Sequence, residues 1–473
     1  MSWSCLFFKA LQQLTSAKIR WEINLTFEPD NMTLPLIPLE ILDSIFSLLD
    51  RTDISRLSRA CKQIHQQATP RLWRSYCNYN QQPYNTFLRA IVTNPGRAKH
   101  VEELHTSNVT EDDPHESSED DVQSFQSAVS NLSVPDEFKD HLNKGIKEGY
   151  SDAMLALLLC KLHNLKNLFL YRPDICDLIC ELFDYVNSGK SSILGNLRRF
   201  SIETTDMSCA VGTVRDYGGI LNIAREVQIV QLNDETMSPS RFREGSSAVE
   251  HLHILESGMG TDAMRVFVQS CKTLRTFNYT FGNVDYYDDY FKPQEAVEEL
   301  RRHKVTLEEL TMLYDDDRLK QSWYDLTARE WYMGAELRRF TKLKVLRSGM
   351  HSLLGLLHAQ SAAMETYPAD PLADRGRPEL VDVLPASIEH LTIMYADAQI
   401  IAHLQKVGVV CKNQFPNLRK VIVGFCAEST ENNIQLEIPG LELLLLYQTP
   451  EEREAYVYGR EPYSWVGSQV FRG

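Results

Sequence analysis

The chain contains no apolar run approaching the roughly 18 to 20 residues that a membrane span requires, and no long run of Lys and Arg. The first absence argues against a membrane protein. The second argues against a general nucleic-acid binder, because phosphate contacts need concentrated cations, and the formal charge of -15 points the same way. The ten cysteines are scattered. Only Cys176 and Cys180 stand close together, without a second pair or a His cluster at zinc spacing, so reduced thiols of a cytoplasmic or nuclear protein fit best. Catalytic signatures are missing too: there is no G-x-S-x-G turn, no G-x-x-x-x-G-K-[ST] phosphate loop and no H-E-x-x-H helix. Gly258 and Gly260 precede a helical stretch but lack the third glycine and the ribose-binding acid of a dinucleotide turn. His251 and His253 are read as alternating along a strand rather than sharing a metal-facing side. The expectation is therefore a non-catalytic protein with no cofactor and no metal.

With 473 residues and a globular apolar content, the chain can bury a large core in more than one unit. Residues 1–31 carry Lys9, Lys18 and Arg20 with no acid before Glu22, faintly like a mitochondrial targeting peptide. The plainer expectation is a flexible extension, or a true start at Met32.

Residues 34–76 pack apolar positions at helical spacing into too few residues to enclose them, which predicts a segment made to meet a partner. A first helix is expected from Pro38, with Ile41, Leu42, Ile45, Leu48 and Leu49 on one stripe. Thr52 or Asp53 can cap a second helix carrying Ile54, Leu57, Cys61, Ile64 and Ala68. Thr69 ahead of Pro70 opens a third, with Leu72 and Trp73. The start at Pro38, Glu40, Ile41 and Leu42, the Ile45-Phe46 pair, Asp53, Leu57, the Cys61-Lys62 pair and the closing Leu72-Trp73-Arg74 together resemble the F-box family. Ile64 departs from it, standing where the family usually has Trp or another large aromatic. The resemblance covers about a tenth of the chain. It implies docking on the Skp adaptor of a Skp, cullin and F-box ubiquitin ligase, through Pro38, Ile41, Leu42, Ile45, Leu49, Leu57, Cys61, Ile64, Leu72 and Trp73.

The remainder repeats one phrase, apolar-x-x-apolar-x-apolar. It runs from Val101, Leu104, Thr106 through Leu165, Leu168, Leu170; Leu197, Phe200, Ile202; Val227, Val230, Leu232; and Val249, Leu252, Ile254. It continues as Leu274, Phe277, Tyr279; Leu307, Leu310, Met312; Leu343, Leu346, Ser348; Ile388, Leu391, Ile393; Leu418, Val421, Val423; and Leu441, Leu444, Leu446. The last two positions alternate as a strand with one buried face requires, and amphipathic stretches at 261–271 and 294–303 read as intervening helices. Such units stack into the parallel sheet of a leucine-rich-repeat horseshoe. The expected fold is thus α/β: an N-terminal three-helix F-box over 32–76, then an irregular leucine-rich-repeat solenoid over 77–449. Its acidic insertion near 111–121 reads as a solvated loop, and 450–473 as a cap or tail rich in Tyr456, Tyr458, Tyr463 and Trp465. An N-terminal F-box ahead of a loose repeat array resembles the fungal F-box proteins.

Residues flanking the buried strand positions are expected to line a concave, substrate-facing surface: Phe169, Tyr171, His253, Asn278, Thr280, Arg347, Thr392, Met394 and Tyr447. Acidic clusters at 285–289 and 315–317 could meet a basic substrate segment or simply be solvated. The reading is a substrate receptor that binds the Skp adaptor and cullin scaffold at one end and an unidentified protein target at the other. Neither nucleic acid nor membrane is an expected partner. The alternative is a repeat scaffold with no role in ubiquitin transfer.

Overall fold

A serine, threonine or aspartate ahead of an apolar stripe starts a helix, and the N-terminal part of the chain shows where that rule acts. The computed structural model describes residues 39–60, 62–78, 84–109, 117–173, 177–189, 191–203, 218–230, 233–234, 243–281, 292–313, 332–355, 378–426, 438 and 440–448. The termini, including 1–31 and 450–473, lie outside these residues. The chain forms two compact units, one of residues 1–107, 112–168 and 191–197, the other of 108–111, 169–190 and 198–473. Among the described residues no helix is long and apolar enough to cross a membrane.

The first unit opens with α1 (Leu39–Ser47), α2 (Arg51–Ser58) and α3 (Lys62–Leu72). The cap of α2 is Asp50 rather than Thr52 or Asp53: its carboxylate accepts from the Asp53 backbone N–H at 2.8 Å. No helix begins at Pro70, which sits inside the last turn of α3. Thr69 there donates its hydroxyl back to the His65 carbonyl at 2.6 Å, and the expected long middle helix breaks near residue 60 instead. Strand β1 (Ser75–Cys77) pairs in parallel with β2 (Glu103–Val109), Tyr76 opposite Leu104. Between them run α4 (Tyr84–Thr93) and the single turn α5 (Pro95–Ala98).

Beyond β2 come α6 (Glu119–Ser130), α7 (Asp136–Glu148) and α8 (Ser151–Lys161). The acidic stretch is therefore not wholly a loop: Glu119, Asp120 and Asp121 form the first turn of α6, where carboxylates complement the positive end of the helix. Ser118 caps that turn, and Asp121 is buried against Arg89 of α4, whose guanidinium holds the carboxyl below its usual range. Helix α8 is apolar on every side, from Ala153 to Cys160, and every one of those residues is buried, as a helix without a polar face must be. It packs against α4 and α7.

The second unit takes most of β3 (Asn167–Pro173), then α9 (Asp177–Asn187) and β4 (Arg199–Glu203). A 3-10 turn at Gly218–Asn222 lies on α9. A Cβ on Gly219 would stand 2.5 Å from the Phe183 carbonyl oxygen and 2.6 Å from its carbon, so backbone meets backbone there. Gly219→Ala is expected to destabilise this unit by about 1–3 kcal/mol, read as a lowered urea midpoint; an unchanged midpoint would mean the turn moves off α9 freely.

After it the strands β5 (Glu226–Val230), β7 (His251–Met259), β8 (Thr276–Phe281), β9 (Glu309–Leu313), β10 (Val345–Gly349), β11 (His390–Ala396), β12 (Lys420–Cys426) and β13 (Glu442–Gln448) pair in parallel in chain order. Two-residue β6 (Asn233–Asp234) pairs with β7. The connections hold α10 (Thr261–Ser270), α11 (Pro293–Leu300), short α12 (Met350–Leu354) and α13 (Leu380–Val383), and α14 (Ile400–Gln414). The sheet does not close on itself, and β13 is an edge among the described strands.

Most copies of the repeated phrase land as expected: Val249, Leu252 and Ile254 are buried, and so are Leu274, Phe277 and Tyr279. Two do not. In β5 the buried set is Ala224, Val227 and Ile229, three residues earlier than expected, because alanine serves as the anchor. In β13 the register aligns Val421 with Leu443 and Val423 with Leu445, leaving Leu444 38 % exposed. A run of four leucines offers no alternation, and a one-residue slip exchanges the faces. Tyr279 is sealed inside and donates its hydroxyl to the Ser257 carbonyl at 3.1 Å, which burial accompanies with a raised phenol pKa.

Candidate functional site

Within the folded chain the three N-terminal helices share a buried core. Leu42, Phe46, Ile54, Leu57, Ile64 and Ala68 form one buried cluster, with Leu49 and Leu72 packed against it. Polar bonds close its margins. Arg71 donates to the Asp43 carbonyl at 3.1 Å and lies 6.0 Å from the Phe46 ring centroid, while Arg51 donates to the Leu72 carbonyl at 2.9 Å.

This arrangement re-sorts the residues expected to meet an adaptor. Leu42, Leu57 and Ile64 belong to the buried cluster, and Ile45 is buried as well; each is no more than 3 % exposed, so none presents its side chain at the surface of the folded chain. Leu49 and Leu72 are partly buried, and Pro38 and Cys61 lie outside the described residues, as does the side chain of Ile41. Trp73 is occupied by its own chain: its ring stacks on Phe87 at 5.8 Å, and the Arg97 guanidinium lies 4.6 Å over it. Phe87 in turn stacks on Tyr76 at 3.9 Å, and burial, with Cys77 adding to it, pushes the Tyr76 phenol up to about 12. Among the described residues of this segment the large apolar side chain left exposed is Leu48, 37 % exposed just past the end of α1, beside the margin of Leu49. The stripe contained it. Periodicity alone could not separate the stripe's outer edge from its centre.

On the sheet of the second unit, residues at one register position run across neighbouring strands: Gln228, His253, Asn278, Thr311, Arg347 and Thr392. His253 and Asn278 come together at 2.9 Å, and Arg347 pairs with Glu309 and donates to Thr311 at 3.2 Å. His253 and Arg347 are partly buried, Asn278 is 2 % exposed, and Thr280 and Thr392 are buried. Met394 is fully buried and Phe169 nearly so; neither presents a side chain to solvent. Tyr171 is partly buried, and the side chain of Tyr447 lies outside the described residues. His251 and His253 share a face of β7, since residues two apart on a strand must, but each is held by a neighbouring strand. His251 bonds Thr276 and His253 bonds Asn278. Among the described residues no group of three His, Cys, Asp or Glu side chains could hold a metal. The acidic clusters at 285–289 and 315–317 lie outside the described residues.

Three residues earlier, just ahead of the first residues of β7, β8, β9 and β10, charges alternate from strand to strand. Arg275 meets Glu250 at 3.3 Å and Glu308 at 2.8 Å, and Lys344 meets Glu308 at 3.1 Å, along an open groove of about 500 Å³. Lys344, with Arg275 behind it, holds the Glu308 carboxyl below its usual range. This ladder was missed in sequence because its members sit 25 to 36 residues apart.

No curated protein matches this chain. Its residues 34–79, whose helices, sealed core and exposed Leu48 are described above, match the model of the F-box-like family.

Proposed function

We propose that the protein is the substrate-recognition subunit of a Skp-cullin-F-box ubiquitin ligase, with the F-box-like helices docking the adaptor and the sheet unit receiving a target protein. The observation that carries the reading is the match over 34–79, joined to a helical trio whose Leu42, Phe46, Ile54, Leu57, Ile64 and Ala68 form one buried cluster while Leu48 remains at its surface. An F-box-like domain is an adaptor-binding or protein-interaction module. The in-order parallel strands with intervening helices support reading the second unit as an irregular leucine-rich-repeat solenoid of the fungal F-box kind. Its polar row across β5 to β11 supports a protein-binding surface, for which His253 and Arg347 are the better placed of the expected residues.

On this reading the chain performs no chemistry. It raises the effective concentration of target lysines beside a ubiquitin thioester carried by another subunit, in the cytoplasm or nucleus. The test is affinity capture of the full chain against a version lacking residues 34–76. Adaptor and cullin are expected to vanish from the truncated sample, with target proteins still bound and longer-lived in cells. Bound proteins of unchanged lifetime would favour a scaffold without ubiquitin transfer, and adaptor retained by the truncated chain would refute the docking assignment.

A further inference from the structure

The turns that lead into β7, β8, β9 and β10 form a second row outside the alternating charge ladder, and the charges left unpaired among its described residues are all basic. The turns are stitched to each other. Ser247 donates its backbone N–H to the Ser270 carbonyl at 2.8 Å, and Lys272 donates back to Ser247 at 3.2 Å. Thr306 bonds the Leu274 carbonyl at 2.9 Å, and Thr341 donates to the Lys304 carbonyl at 3.0 Å. Among the described residues of this row there are two carboxylates, and cations hold both: Glu244 pairs with Arg302, and Glu336 with Arg301 and Arg339. Arg243, Lys272, Lys304, Arg338 and Lys342 are exposed and have no acidic partner among the described residues.

The contrast with the inner ladder is what gives this row meaning. Glu250, Arg275, Glu308 and Lys344 neutralise each other across the same four strands, so the fold uses that charge itself. The outer cations stabilise nothing comparable, and like charges on stacked turns repel. Solubility does not explain them either, since a chain of net charge -15 gains none from a block of the opposite sign.

We propose that this basic row is a docking surface for a short acidic peptide segment of a partner protein. Four neighbouring strands at about 4.8 Å spacing give a row about 15 Å long, matching about five extended residues. A duplex or an anionic membrane extends well past that length, and a chain of formal net charge -15 repels so large a polyanion. A short segment lies within about one or two Debye lengths of the row alone. The inference goes beyond the adaptor reading and does not rest on it.

The test uses the full chain and a fluorescein-labelled oligo-aspartate of about ten residues, titrated at low and at physiological ionic strength. Saturable binding that weakens with salt is expected. The triple variant Lys304→Glu, Arg338→Glu, Lys342→Glu is expected to weaken it on the order of tenfold or more. Lys99→Glu, Lys144→Glu, Lys147→Glu changes the net charge equally in the first unit and is expected to stay within about twofold. The corresponding Gln series replaces the Glu series should the latter unfold. Equal weakening by both triple variants, or no saturable binding by the wild type, would overturn the proposal. Tighter binding through the same residues by duplex DNA or phosphatidylserine vesicles would overturn the choice of a peptide.

Discussion

Leu48→Glu is expected to reduce capture of a purified Skp-type adaptor by about thirtyfold or more while leaving the three N-terminal helices folded. One leucine covered at an interface contributes roughly 1.5–3 kcal/mol, and a carboxylate in its place must also be desolvated. Leu48 is 37 % exposed and lies outside the buried cluster, so the chain itself has little to lose. Phe46→Ala is the necessary contrast. Phe46 is 2 % exposed at the centre of the cluster, and its truncation is expected to cost about 3–5 kcal/mol, enough to melt so small a unit. Amide hydrogen exchange over α1 to α3 separates the two: protection kept in Leu48→Glu and lost in Phe46→Ala, with capture lost in both. Capture by Leu48→Glu at wild-type affinity would place the adaptor elsewhere.

A pH effect of similar size is expected at His253. Burial pushes this imidazole down to about 4; nearby Glu226 and Glu309 oppose that push, and His251 and Arg199 add to it. The neutral ring accepts from Asn278. An unfolded histidine titrates near 6.5, so below that pH the unfolded chain takes up a proton that the folded chain refuses. Stability is therefore full above about 6.5, falls as pH drops toward 4, and levels off below it, a loss of up to about 3 kcal/mol. His105, His303 and His403 are also depressed by burial and contribute in the same direction. The difference between wild type and His253→Gln isolates the one ring: urea midpoints from pH 7 to pH 4.5 should converge as pH falls. Parallel curves would sink the assignment.

Helix and strand were legible in this sequence wherever apolar residues kept a period. The stretches 261–271 and 294–303 became α10 and α11 with its 3-10 extension, and most repeated triplets became the inner face of a strand. Legibility failed where a small or uniform residue erased the contrast: Ala224 hid the anchor of β5, and four leucines hid the phase of β13. It failed again at Thr69 and Pro70, which read as a helix start but sit in a last turn set by packing. The site was legible in part. Resemblance marked the three helices, yet spacing could not distinguish Leu42, facing Phe46 and Ile64, from Leu48 at the rim. The cross-strand charges required the register itself, which no local pattern contains.

The sheet of the second unit has one more consequence, because each strand, two-residue β6 aside, is bonded to the strands next to it in sequence. Contact order is correspondingly modest for a sheet of this size: every ladder closes a loop of a few dozen residues and none must wait for the two ends of the unit to meet. Assembly can therefore begin at any adjacent pair and spread both ways, and a nick between two strands leaves each fragment with a contiguous piece of sheet. Fragments cut between β9 and β10 are expected to reassociate when mixed.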